Sequence, residues 1–357
     1  MSRVYLDWNA TAPLRPEAHA AMLDAMAHIG NPSSVHAEGR AALSIIEKSR
    51  AQVADLVGCA ASEVVFTSGA TEAIALVSNG HKNVCVFNGL EHDAVASWAT
   101  DLLNIVDAGG VDLDACQNLP AGALLYFPQA NSETGIRQSV TPPANRDYTV
   151  VQDMTQTVGK TDIGCDYDLA VMSSHKIGGP KGVGAAIIRA GRDQKPLLRG
   201  GGQEMGRRPG TENLVGIAGF GAAAAASKRD FDADIWAPVE KLRDQLEDRL
   251  MAAAPDLIIF GKDVSRLPNT SNFAIPGWKG EIQVMQMDLA GFAVSAGSAC
   301  SSGKVKASRV LLAMGYDENT AGSAIRVSIG PATSEAELMA FADTWIEHYR
   351  RFKKRAA

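Results

Sequence analysis

The residues with the clearest chemical potential lie at the ends of apolar runs. In Ser173-Ser174-His175-Lys176-Ile177-Gly178-Gly179-Pro180-Lys181-Gly182, a lysine leaves a buried-type strand between hydroxyls and glycines. A lysine amine can form a Schiff base, and a crowded, partly dry setting lowers its pKa. The plainer alternative is a loop lysine with its head in water. Asp153 ends a second apolar run, within Gln152-Asp153-Met154-Thr155-Gln156. An unpaired carboxylate there is costly, so it wants a cation, for which a protonated pyridine nitrogen would serve; a cap for the next helix competes. Thr67-Ser68-Gly69-Ala70-Thr71-Glu72 joins a strand to a helix through small residues. Such a turn can offer backbone amides to a phosphate, or be an ordinary capped turn. Cys300 sits among small residues from Val294 to Gly303, with Lys304 and Lys306 close behind. An exposed thiol near cations is the setting of a reactive thiolate, whereas structural cysteines are buried.

Those segments need elements to position them. Short β-type runs alternate with helical stretches over most of the chain, which predicts an α/β fold with a largely parallel sheet. Strands are expected at 63–67, 83–87, 123–127, 148–152, 169–172 and 184–188, and a helix from Val35 to Val57 stopping at Gly58. Beyond residue 230 the character changes. A charged amphipathic helix at 236–253 precedes strand candidates at 257–260, 270–275 and 324–329, and a final helix spans 334–352. The expected organisation is a large domain over residues 14–230 and a smaller α+β domain formed by 1–13 with 231–357, carrying the cysteine loop at about 295–306.

The 357 residues include 34 Lys and Arg against 40 Asp and Glu, a net charge of −6 that argues against a nucleic-acid surface. The basic cluster Arg350, Arg351, Lys353, Lys354 and Arg355 reads as a solvated helix end. No apolar stretch reaches the roughly 18–20 residues of a membrane span, and no signal core follows Met1, so a cytoplasmic protein is expected. The five cysteines have no C-x-x-C pair, which points to neither a zinc site nor a disulfide framework. The run Arg199 to Thr211 lacks the glycine-lysine-hydroxyl ending of a nucleotide P-loop; its arginines suit an anion or a partner subunit.

Taken together, the segments resemble the cysteine desulfurases, in the class V branch of fold-type-I pyridoxal-phosphate (PLP) enzymes. The matching pieces are LDWNATAP (6–13), GNPSSVH (30–36), FTSGATEA (66–73), LEH (90–92), NSETG (131–135), QDMTQTVGK (152–160), SSHKIGGPKG (173–182), GGGQE and RRPGT (200–211), SAGSACSSG (295–303) and IRVSIG (325–330), in family order over nearly the whole chain. The resemblance implies that Lys176 is the cofactor lysine, that Asp153 pairs with the pyridine nitrogen, that Gln156 bonds the ring's phenolic oxygen and that His92 stacks on the ring and helps move protons. Ala70, Thr71, Ser173 and His175 match the phosphate cup, and Thr211 a position that reaches the phosphate of a neighbouring subunit, implying a homodimer with shared active sites. Asn131 and Arg326 match contacts to the substrate carboxylate, with Asn9 at the pocket edge, and Cys300 matches the thiol that takes sulfur from L-cysteine as a persulfide, leaving alanine. A sulfur-acceptor protein or iron–sulfur scaffold is the implied partner.

Some positions depart from the family pattern. Val151-Gln152 precedes Asp153 where many members have His-Val, Gln203 stands where a histidine is common, and Ala12 replaces a threonine. Rival readings are a selenocysteine lyase, a small-amino-acid aminotransferase, which has no need of a mobile thiol, and a non-catalytic subunit, which would not need Lys176, Asp153, His92 and Cys300 together.

Overall fold

The computed structural model describes every residue except 1–2, 107–108, 139–140, 165, 193, 298–306 and 357. Cys300 and Cys165 therefore lie outside the described residues. In chain order the first half runs β1 (Val4–Tyr5), α1 (Pro16–Met26), α2 (Ala37–Val57), β2 (Val64–Thr67), α3 (Ala70–Ser78), β3 (Val84–Phe87), α4 (Asp93–Ala96), β4 (Asp101–Leu103), a small ribbon of β5 (Ile105–Val106) and β6 (Gly110–Val111), β7 (Leu124–Pro128), β8 (Thr149–Asp153), β9 (Leu169–Ser173) and β10 (Gly184–Ile188). The rest comprises α5 (Leu214–Asp232), α6 (Trp236–Ala253), β11 (Ile258–Ile259), β12 (Thr270–Ala274), α7 (Gly280–Leu289), β13 (Phe292–Ala293), β14 (Ser295–Ala296), α8 (Arg309–Ala313), α9 (Glu318–Ala321), β15 (Ala324–Ser328) and α10 (Glu335–Ala356).

Seven strands form the main sheet in the order β2-β10-β9-β8-β7-β3-β4. All its pairs are parallel except those of β10, which runs antiparallel to both β2 and β9. Strands β2, β3, β7, β9 and β10 are buried along their whole length, as a sheet covered on both faces requires, and this explains their continuous apolar runs. One face packs on α2 and α5 through Ile46, Val53, Phe66, Phe127 and Phe220; the other packs on α3 through Ile74, Val77, Tyr126 and Val171. Gly184 in β10 lets that helix start close to the sheet: a Cβ there would stand 2.7 Å from Gly69 Cα.

A four-stranded antiparallel sheet, β11-β12-β15-β14, has its own core of Phe273, Trp278, Phe341 and Trp345, covered by α6, α7 and α10. The N-terminal segment belongs with it, since β1 pairs with β13 and Leu6 is fully buried in that core.

Three sequence expectations need adjustment. The strand foreseen at 257–260 shrinks to Ile258–Ile259, and the last helix runs on through the basic cluster to Ala356. Helix α7 was not foreseen, because its apolar residues are spread around the axis: Met287 is buried while Met285 and Leu289 are exposed. No helix among the described residues is long and apolar enough to cross a membrane.

Candidate active site

A cavity of about 770 Å³ opens where the main-sheet strands end. Its wall contains Asn9, Ala70, Thr71, His92, Asn131, Asp153, Gln156, Ser173, His175, Lys176 and Arg326, eleven residues that the sequence singles out separately. Thr211 does not line it and is exposed.

Lys176 ends a single 3₁₀ turn that follows β9 directly, so the strand aims it at the cavity. Its Nζ donates to the carbonyls of Asn9 at 2.5 Å and Ala10 at 2.9 Å. The N-terminal segment is thus laid against the lysine's turn, and the Ala12 N–H donates to His175 O at 2.9 Å. Gln156 Nε2 donates to the same Asn9 carbonyl at 3.0 Å, while its Oε1 is buried with no hydrogen-bond partner. Asp153 is the last residue of β8. Its Oδ1 accepts from the Thr155 N–H at 2.9 Å, so it does cap the following turn, yet it also faces the cavity.

Helix α3 begins at Ala70, beside Ser173 and His175 in the wall. The first-turn amides of a helix have no partner within it and favour an anion. His175 Nδ1 is 3.2 Å from Thr11 Oγ1, and burial, reinforced by the charges of Lys176 and Lys181, pushes its pKa down to about 4. His92 caps α4, with Nδ1 accepting from the Ala94 N–H at 3.1 Å, which leaves Nε2 as the ring's other nitrogen for a ligand.

The two residues matched to substrate-carboxylate binding differ. Asn131 Oδ1 accepts from the Glu133 and Thr134 N–H groups and from Thr134 Oγ1, and Nδ2 donates to Leu90 O, so this side chain organises a turn as well as facing the cavity. Arg326 donates from Nη2 to Asp7 Oδ1 at 2.8 Å and from Nη1 to Ser132 O at 3.0 Å, and its buried Nε has no hydrogen-bond partner.

Sequence reasoning gave no role to three ionisable residues of this region, two buried and one, Glu133, half-buried. Glu91 lines the cavity, with Oε1 unpartnered; burial, and then the Asp153 charge, raise its pKa well above the carboxylate range against the pull of Arg309. Glu133 also lines it, and burial raises its pKa. Lys160 has a buried Nζ without a hydrogen-bond partner, and burial, with the charges of Lys176 and Arg326, lowers its pKa to about 7. All three fall inside the runs LEH, NSETG and QDMTQTVGK, which was the available signal.

These groups fit pyridoxal phosphate: an amine at a strand end, a carboxylate lining the same cavity, a buried amide with an unused oxygen, and a helix start for the phosphate. Among the described residues no cluster of three or more His, Cys, Asp or Glu could hold a metal. The sheet and this site together define a fold-type-I PLP enzyme. Residues 4–341 match the aminotransferase class-V family. The chain is 39% identical to the cysteine desulfurase of Cereibacter sphaeroides, over 95% of this chain and 93% of that protein. It is 36% identical to the cysteine desulfurase of Trichormus azollae, over 95% of this chain and 90% of that one. Among solved structures, a NifS-like protein from Rickettsia africae superposes with a TM-score of 0.87 at 30% identity, covering 98% of this chain and 99% of its own. The chain belongs to the cysteine desulfurases of the aminotransferase class-V family.

Proposed function

We propose that this protein is a PLP-dependent cysteine desulfurase in which Lys176 carries the cofactor and Cys300 receives the sulfur. The observation that carries the reading is the convergence of eleven motif residues, drawn from both ends and the middle of the chain, on one cavity around the Lys176 amine. Bound PLP supplies an electron sink for charge developing on the carbons of an amino acid.

The chain's own residues have separate tasks. Lys176 Nζ holds the cofactor and, once released, takes the substrate's α-proton. Asp153 keeps a proton on the pyridine nitrogen. Ala70, Thr71, Ser173 and His175 hold the phosphate, and Gln156 and His92 orient the ring. Arg326 grips the carboxylate of cysteine with donors that Asp7 and Ser132 leave free, with Asn131 and Asn9 beside it. In the net step the Cβ–S bond of cysteine breaks, an S–S bond to Cys300 forms, and a proton ends on Cβ. Thiol plus cysteine gives persulfide plus alanine, with no outside oxidant.

A homodimer with shared sites accounts for Thr211 standing outside its own subunit's cavity. Around the 200–211 run the surface exposes Met205 and Leu43, while Ile29 and Val35 are 92% and 89% exposed, apolar side chains that a second subunit would cover. A division into a large unit of 14–230 and a small one of 1–13 with 231–357 follows the two cores. The persulfide would pass to an acceptor such as an iron–sulfur scaffold, in the cytoplasm, where thiols stay reduced. That the relatives are named cysteine desulfurase supports cysteine, and not selenocysteine, as this chain's substrate.

The test is incubation of the holoenzyme with L-cysteine and a thiol reductant, measuring sulfide and alanine together beside Cys300→Ala. Equal amounts from wild type and neither from the variant are expected. A variant that matches wild type would remove Cys300 from the mechanism.

A further inference from the structure

Glu133 occupies a crossing point that the reaction as drawn does not use. It belongs to the turn 131–135, and both its backbone groups are pinned: its N–H donates to Asn131 Oδ1 at 2.9 Å and its carbonyl accepts from Asn272 Nδ2 at 3.0 Å. Its side chain reaches Ser308, whose Oγ stands 2.5 Å from Glu133 Oε2. That hydroxyl also accepts the Leu311 N–H at 3.2 Å as the cap of α8, so its own proton is directed to the glutamate. Gly297, at the end of β14, completes the arrangement. A Cβ built on it would lie 3.1 Å from Ser308 Cβ and 3.3 Å from Glu133 Oε2, so no side chain fits there without displacement. Three separate pieces of chain therefore meet at one carboxyl oxygen. Two of them, Gly297 and Ser308, flank segment 298–306, which contains Cys300.

We propose that Glu133 is a positioning residue for the sulfur-transfer step, fastening Ser308 to the 131–135 turn with Gly297 packed beside the pair, and so fixing the described residues that precede and follow Cys300. The inference rests on the desulfurase reading above and adds to it a device separate from cysteine binding. Burial raises the pKa of this carboxyl, with Asp93 adding to the rise, while the Ser308 bond, Arg326 and Arg309 lower it. What the Ser308 hydroxyl needs at this point is an acceptor oxygen, which an amide also supplies. The step it serves is the one balanced above, in which the Cβ–S bond of cysteine gives way to an S–S bond on Cys300 and Cβ gains a proton.

The experiment uses holoenzyme carrying Glu133→Ala, Glu133→Gln, Ser308→Ala, or Glu133→Ala with Ser308→Ala. Cysteine binding is followed by the visible spectrum of the bound cofactor, and Cys300 persulfide by mass spectrometry in a single turnover. Glu133→Ala and Ser308→Ala should leave the spectral midpoint within about twofold and slow persulfide formation roughly tenfold or more, as small misplacements of reacting groups do. The double variant should be no slower than the slower single, because both remove one bond. Glu133→Gln should stay near wild type. Additive slowing, a lost cysteine-induced spectral change in Glu133→Ala, or a Glu133→Gln as slow as Glu133→Ala would overturn the proposal. A wild type that shows the spectral change but never forms persulfide would instead bring down the desulfurase reading, and this inference with it.

Discussion

Arg326 and Asp7 form an ion pair across the cavity wall, Nη2 to Oδ1 at 2.8 Å, joining the central strand of the small sheet to the N-terminal segment. Asp7 also accepts from Ser295 Oγ at 2.9 Å, so one carboxylate steadies both the guanidinium and the strand that leads to the cysteine segment. Removing one partner of a largely buried pair leaves the other uncompensated. Asp7→Ala should therefore raise the KM for cysteine about tenfold with little change in kcat, since ground-state and transition-state binding are lost together. Arg326→Lys should lower kcat/KM about a hundredfold, because a single ammonium lacks the planar fork that reaches Asp7 and Ser132 O from separate nitrogens and still offers paired donors to a carboxylate. Steady-state kinetics separate the two.

Lys160 gives a pH signature. Its pKa falls to about 7 in the folded protein from 10.5. Between those values the unfolded chain binds the extra proton, so this lysine's contribution makes the protein more stable as pH rises from about 7 towards 10.5. Below pH 7 the amine is charged in both states and its burial penalty is full. Lys160→Met should raise Tm at pH 7 by several degrees and by much less at pH 10. Thermal melts of cofactor-free protein at the two pH values decide it; an equal gain at both would show that packing, not charge, is at work.

His175 should behave in the same sense over a lower range. With a folded pKa of about 4 against an ordinary 6.5, it is neutral in the cofactor-free protein throughout pH 5–8. Its protonation on unfolding destabilises the fold as pH drops from 6.5 to 4. Proton NMR of the ring should show no titration above pH 5, and His175→Asn should soften the fall in Tm across that window.

Borohydride reduction offers a direct check on Lys176. Loaded wild type should carry the reduced cofactor on the peptide containing Lys176, and Lys176→Ala should carry none there. Activity of that variant should fall about 10³-fold or more, since both cofactor attachment and proton transfer lose their amine.

Gly184→Ala tests the closeness of α3 to the sheet. The added methyl would meet Gly69 Cα and Met172 O, both at 2.7 Å, so the start of the helix must shift. Overpacking of this kind costs about 1–3 kcal/mol. Tm should drop by several degrees, and the cofactor's dissociation constant should rise more than in a control substitution distant from the phosphate cup.

Much of this was readable beforehand for a physical reason. Strands buried on both faces need unbroken apolar runs, so Leu169 to Met172 and Gly184 to Ile188 announce themselves, and a polar residue at such a run's end, like Asp153 or Lys176, stands out. The same logic hides Glu91 and Glu133. A glutamate in sequence is a surface residue by default, and only the packing of Arg309, Ser308 and Asp153 from distant segments shows that Glu91 is buried and Glu133 half-buried. Asn131 stood out in the sequence and does line the cavity, but its part as the organiser of its turn, which depends on the Thr134 hydroxyl folding back onto it, was not legible. Gln203, noted as a departure from the usual histidine, accepts from the Gly210 N–H at 3.1 Å and so helps shape the run that ends at Thr211.

The lysine turn and the wall around it come from very different stretches of chain. Lys176 is placed by neighbouring strands β9 and β10, joined by a connection of only ten residues, whereas Asn9 bonds Thr270 and the cavity-lining Arg326 lies near the far end. During synthesis the amine and most of its cavity wall are therefore made well before Ser295, Arg309 and Arg326, which line the remaining side. A nascent chain still lacking residue 326 would already carry every residue proposed to hold the cofactor but not the arginine proposed to hold the substrate, so substrate capture must wait for the last part of the chain.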